Sequence, residues 1–246
     1  MIQLPSEPKI ISKTSDRTVF EISPLYPGYG MTIGNTLRRV LISSLDGAAV
    51  TSVKIRGVDH EFSAIEGVLE DVIEIILNLK KIRCRVFKDE PVTLVLHAKG
   101  EGKVTADNIE ATADVEIVNK DQHIATITNK KTELEMELTV ERGVGYVPAE
   151  QRQKEKLGVG KIAIDGIFTP VRNVNFTIEN IRVGQRTDYN KVLLDIETDG
   201  SISPEEALKK ASQILMDHFS VVNMIEVPKE EKKVETKAKR KTKKKE

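Results

Sequence analysis

Apolar positions recur along this chain at two different periods, and the changeovers divide it into stretches of different kind. Ile33, Leu37, Val40, Leu41 and Leu45 fall at i, i+4, i+7, i+8 and i+12, which predicts a helix with one apolar face. Thr32 is its expected N-cap, and Asp46-Gly47 is expected to end it. Upstream, Arg17 to Ser23 reads as a strand closed by Pro24, and Pro27-Gly28-Tyr29-Gly30 as a turn. Residues 50–62 read as short strands around a turn near Gly57. Ile65 to Leu79 predicts a second helix, with Ile65, Leu69, Val72, Ile73, Ile76 and Leu79 on one face. Glu66, Glu70 and Asp71 lie early in it and Lys80-Lys81 at its end, as the helix dipole favours.

From residue 82 to about 140 the period becomes two. Leu134, Met136, Leu138 and Val140 alternate with Glu133, Glu135, Glu137 and Thr139, the pattern of a strand with one wet face. Weaker alternation marks 82–87, 92–97, 113–118 and 124–128. Arg142 to Pro148, continuing through a charged run to Gly160, reads as a long loop. Strands resume at 161–168, 174–179 and 192–197. Ser203, Pro204 and Glu206 then form a capping box with proline at the first helical position. Ala207, Leu208, Ala211, Ile214, Leu215, His218, Phe219 and Val222 follow at helical spacing, until Pro228 closes the pattern. The order is that of an α+β fold. Its first and last helices have apolar faces wider than one thin sheet would cover, which points to a partner, often a second copy of the chain.

Charge changes this picture at one end. The 246 residues balance 38 Lys+Arg against 38 Asp+Glu. Residues 229–246 hold ten basic and four acidic side chains, net +6, so the remainder is net −6. The tail has almost no apolar residues to fold around and is expected to be disordered. Its cations Lys239, Arg240, Lys241, Lys243, Lys244 and Lys245 suit non-specific contact with DNA phosphates; the plainer reading is a solubility tail. An independent nucleic-acid-binding protein is disfavoured, because the negative body would repel phosphate. One cysteine, Cys84, excludes an intramolecular disulfide framework. With no apolar run of membrane-spanning length and no signal-peptide core, a soluble cytoplasmic protein is expected.

Candidate chemistry is sparse. Gly28, Gly30 and Gly34 precede a helix, but their spacing misses the dinucleotide fingerprint by one, and Gly34-Asn35-Thr36 lacks the lysine of a Walker loop. A self-assembling nucleotide-binding regulator using this Gly28–Gly34 loop is therefore the alternative function, and a tight turn is the simpler explanation. His60, His97, His123 and His218 share no metal-ligand spacing with one another or with Cys84. No nucleophile elbow and no carboxylate cluster for two-metal chemistry is found. No catalytic residue, cofactor or metal site is expected. Arg38 and Arg39, beside the first apolar stripe, either snorkel or anchor a protein interface.

Five stretches carry a resemblance. Pro27-Gly-Tyr-Gly-Met-Thr-Ile-Gly-Asn-Thr-Leu-Arg-Arg-Val-Leu-Ile-Ser-Ser44, Glu66 to Lys80, Arg142-Gly-Val-Gly-Tyr-Val-Pro-Ala149, Gln185-Arg-Thr-Asp188 and Glu197 to Ala207 resemble, in order, the motifs of the bacterial RNA polymerase alpha subunit. The resemblance runs from about residue 15 to 226. It implies a discontinuous dimerisation domain, residues 1–46 and 174–228, built from a sheet and two interface helices. A mixed β-rich domain, residues 47–173, would be inserted between its halves. It further implies a homodimer paired through Ile33, Leu37, Val40 and Leu41 on the first helix and Leu208, Ala211, Leu215, Phe219 and Val222 on the last. That dimer would nucleate assembly of the beta and beta-prime subunits. Arg38 and Arg39 would serve that assembly, Arg39 matching the family's important second arginine. The family's helical C-terminal DNA-binding domain is expected to be absent, since only the lysine-rich stretch follows the last predicted helix. DNA would then be met through the assembled enzyme and the tail.

Overall fold

The computed structural model describes residues 2–110, 112–152 and 160–225. The first part runs β1 (Lys9–Lys13), β2 (Arg17–Leu25), α1 (Tyr29–Ser43), β3 (Asp46–Ile55) and α2 (Val72–Leu79). There follow β4 (Cys84–Val86), β5 (Val92–Lys99), β6 (Gly102–Thr105), β7 (Val115–Ile117), β8 (His123–Ile127) and β9 (Glu133–Val144). The rest comprises β10 (Tyr146–Val147), α3 (Ala149–Arg152), β11 (Ile162–Ala163), β12 (Gly166–Ile167), β13 (Val171–Val183), β14 (Arg186–Thr198) and α4 (Pro204–Val222). The fold is α+β, with antiparallel sheets throughout.

Two hydrophobic cores result. The terminal core joins the two ends of the chain in one sheet ordered β1-β2-β14-β13. β14 is central: Val192, Leu194 and Ile196 pair with Ile22, Phe20 and Thr18 on one side and with Ile178, Phe176 and Val174 on the other. Successive strand residues point to opposite faces, so these rows form one apolar surface. α1 lies over β13 and β14, and α4 packs beside α1. Gly34 permits that approach, because a Cβ there would sit 2.6 Å from the Phe176 ring. The middle core is built on the sheet β11-β3-β9-β5, closed by α2 and the β6–β8 strand pair. Leu134, Met136, Leu138 and Val140 of β9 are all buried in it, as their alternation predicts.

Several expectations need correction. α1 starts after Gly28, not at Thr32, because its N-terminal amides are satisfied from a distant strand: Asn190 Oδ1 accepts from Gly28 N at 2.9 Å and Gly30 N at 3.3 Å. α1 ends at Ser43, and Asp46-Gly47 opens β3 instead of terminating the helix. The second helix spans only Val72–Leu79 rather than 65–79. Gly67 takes φ +77°, which a right-handed helix does not admit, and Val68 bridges to Ile127 of β8. Asp71 is the true N-cap, accepting from Glu74 N at 2.7 Å. Residues 56–62, read as partly strand, form turns after β3. Arg142 to Val144, read as loop, extend β9 through pairing with Asp46 to Ala48. Ser203 does cap α4, accepting from Glu206 N at 3.2 Å.

Candidate interaction surface

The apolar face of α4 is divided along its length. Ala207, Leu208 and Ala211 are buried in the terminal core, and Ile214 and Leu215 are half-buried against it. Beyond them Met216, Phe219 and Val222 stand in solvent, Phe219 65% and Val222 69% exposed. α1 is divided in the same way across its width. Leu37 and Leu41 face the core, Ile33 and Val40 pack at its edge, and Tyr29, Met31 and Ile42 are exposed. Leu37, Leu41, Leu208 and Ala211 therefore have little surface left for a second chain, since they are packed in the core of their own. The expected partner-facing set is thus of two kinds: Leu37, Leu41, Leu208 and Ala211 pack within their own chain, while Phe219 and Val222 are exposed. Met216, Val221, Met224 and Ile225, and Tyr29, Met31 and Ile42 on α1, belong to the outer surface but were missed. Tyr29 lies in what reads as a breaker cluster and Met31 directly after it, ahead of the expected helix start at Thr32. Met216 and Val221 fall between the stripe positions.

The two arginines separate in role. Arg38 Nε donates to the Val174 carbonyl at 3.0 Å and ties α1 to β13. Arg39 is exposed, and among the described residues no hydrogen bond or ion pair engages its guanidinium. The Gly28–Gly34 alternative loses its basis: the two amides that would cradle a phosphate already serve Asn190, and Phe176 fills the space over Gly34.

Charged groups cluster where the cores meet. Arg142 holds Asp46 through Nε at 3.2 Å and through Nη2, and reaches Asp89 at 2.9 Å through Nη1. Lys210 of α4 adds a contact to Asp46 at 3.7 Å. Burial pushes the Asp46 carboxyl up, but the Arg142 hydrogen bonds and the Lys210 and Arg142 charges outweigh it, leaving it below its ordinary value. Elsewhere, Glu70 accepts from Thr126 N at 2.6 Å and meets His123 Nε2 at 2.8 Å, which pins the segment before α2 to β8. Lys80 holds Asp165 at 2.7 Å and keeps its carboxyl low. Burial pushes the Cys84 thiol up to about 12, so it carries no thiolate at neutral pH.

The other histidines are scattered: His60 meets Ser63, His97 lies near Glu133, and His218 Nδ1 is 2.7 Å from the Ile214 carbonyl. Among the described residues no group of His, Cys, Asp and Glu side chains is arranged to hold a metal ion. No helix there is long and apolar enough to cross a membrane. The lysine-rich stretch, with Lys239, Arg240, Lys241, Lys243, Lys244 and Lys245, lies outside the described residues.

A two-core α+β chain with structural charge pairs and an uncovered helix face has the anatomy of an assembly component. A family model described as "RNA polymerase Rpb3/RpoA insert domain" matches residues 53–169, the span of the middle core. The chain is 51% identical over 215 residues to a "DNA-directed RNA polymerase subunit alpha" of Symbiobacterium thermophilum, covering 87% of this chain and 68% of that protein. The protein of that name from Alkaliphilus oremlandii is 52% identical, covering 88% and 71%. That from Roseiflexus castenholzii is 50% identical, covering 87% and 66%. The chain belongs to the family of DNA-directed RNA polymerase alpha subunits. It spans about two thirds of the length of these relatives.

Proposed function

We propose that this chain is the assembly subunit of a DNA-directed RNA polymerase, acting as a homodimer that captures the beta and beta-prime subunits. Residues 1–46 and 174–228 form the dimerisation domain in this reading, and residues 47–173 an inserted domain. The observation that carries it is the uncovered apolar surface of the last turns of α4, Met216, Phe219 and Val222, on a helix packed against α1, which itself exposes Met31 and Ile42. Full burial of such a side chain is worth about 1.5–3 kcal/mol. Several per copy, doubled by two-fold symmetry, offset the cost of association. Exposed Arg39 is the anchor for a large subunit, and Arg38 supports it by fixing α1 to β13. The chain supplies no catalytic group; nucleotidyl transfer belongs to the partners.

The test is Phe219→Glu, followed by sedimentation. Phe219 packs on nothing in its own core, so the variant folds with unchanged circular dichroism and sediments as a monomer. An unaltered dimer would remove the reading.

A further inference from the structure

The two cores are joined by more than the chain crossings between them. Two arginines that flank Cys84, Arg83 and Arg85, reach from the middle core to the turn at residues 199–201, which leads into α4. Arg85 Nε donates to the Ser201 carbonyl at 2.6 Å and its Nη2 to the Gly200 carbonyl at 3.2 Å. Its third arm, Nη1, meets Glu116 of β7 at 3.1 Å, which fixes the guanidinium on its own strand pair. Arg83 Nε lies 3.6 Å from Asp199 Oδ2, and the Asp199 side chain is almost fully buried. Asp199 Oδ1 in turn accepts from Ser201 N at 2.9 Å, closing the turn on itself. One residue later Ile202 enters the terminal core, and Ser203 caps α4.

We propose that Arg83 and Arg85 are positioning residues which clasp the 199–201 turn, so that the middle unit sets the direction in which α4 leaves the terminal core. The clasp matters because α4 is a lever. Its nineteen residues span about 28 Å at 1.5 Å each, so a tilt of about 10° at the N-terminus would carry the far end about 5 Å. The core grips α4 only as far as Leu215, and the exposed Phe219 and Val222 lie beyond that grip. Arginine suits this role because its planar fork takes two neighbouring carbonyls together with the Glu116 carboxylate, which a lysine ammonium on a flexible stem does not reproduce. The consequence for self-association rests on the homodimer proposed above; the clasp itself does not.

The experiment is hydrogen exchange on the full chain, with the dimer dissociation constant measured alongside, for Arg85→Ala, Arg85→Lys and Glu116→Gln. In Arg85→Ala, exchange at residues 201–208 rises about tenfold, protection in α2 and β8 is unchanged, and the dimer weakens by a similar factor. Arg85→Lys is intermediate, and Glu116→Gln, which leaves both turn carbonyls bonded, stays close to the parent chain. Unchanged exchange at 201–208 in Arg85→Ala overturns the clasp whatever the oligomeric state. So does a uniform rise that includes α2 and β8, because the residue would then be supporting the middle core only. A parent chain that is monomeric throughout overturns the dimer reading and leaves the clasp to be judged by exchange alone.

Discussion

In the middle core β9 turns Leu134, Met136, Leu138 and Val140 inward, and α2 closes over the sheet with Val72, Ile75 and Leu79, every one of them essentially without exposed surface. In the terminal unit β14 presents Val192, Leu194 and Ile196 just as completely, but α4, packed beside α1, joins that core only as far as Leu215. The apolar residues of its first two turns, Ala207, Leu208 and Ala211, are buried, and its last turns carry Met216, Phe219 and Val222 into water. A core finished within the chain maintains the fold. One left open along a helix is a surface still to be covered; the middle unit also leaves apolar side chains in water, Ile73 and Leu77 on the outer face of α2 with Leu69 just ahead of it, but its sheet is closed beneath them. In the homodimer proposed above, stability falls to the middle unit and self-association to the terminal one.

The sharpest way to break that assignment is to damage the finished core. Leu138→Ala removes a fully buried side chain and should cost about 2–5 kcal/mol of the middle unit's stability, read by denaturant unfolding, with the oligomeric state retained in native buffer. If the oligomer is lost before unfolding, the two units are not separable in this way. Arg39→Ala should do the opposite, leaving stability and self-association alone while weakening capture of a large subunit. Truncating such an anchor costs about 2 kcal/mol, roughly thirtyfold in affinity, in pull-downs below saturation. Arg38→Ala, which also frees the Val174 carbonyl, should show in stability as well.

Smaller effects sit at the junction. Asp46 has its carboxyl held below its ordinary value of 3.8, so the stability it contributes is fully present above that value and is lost as pH falls through and below it. Thermal unfolding followed from pH 7 to pH 3 should show this loss, and Asp46→Asn should flatten it. The smallest expected effect belongs to residues 229–246, whose net charge is +6. If about six cations each meet a phosphate, log affinity falls against log salt with a slope of roughly −5, and less steeply if fewer engage. Deleting these residues should reduce DNA binding at low salt without changing dimer or assembly.

How far the sequence exposes all this depends on where each signal is stored. The cap of α4 is legible because Ser203, Pro204 and Glu206 are neighbours. The alternation of β9 is legible because a strand repeats its pattern locally. The start of α1 is hidden, since its cap is Asn190, supplied by β14 some 160 residues away. The start of α2 is misread because Glu70 resembles a dipole-matched helix residue while its carboxylate actually serves His123 and Thr126. Periodicity places Leu41, Ala211, Phe219 and Val222 on apolar faces correctly. It cannot say that the first two are covered by their own chain, because a stripe records what must be buried and not what buries it. Arg85's reach to the 199–201 turn gives no signal: the groups it meets there are backbone carbonyls, which every sequence contains.

The central claim, that the outer end of α4 is covered by a second copy, is tested most directly by hydroxyl-radical footprinting of the purified chain over a range of concentrations. Met216 and Phe219 should be protected at high concentration and become reactive on dilution, while Phe62, similarly exposed on the middle unit, stays reactive throughout. Phe219 reacting as readily as Phe62 at every concentration would contradict the account.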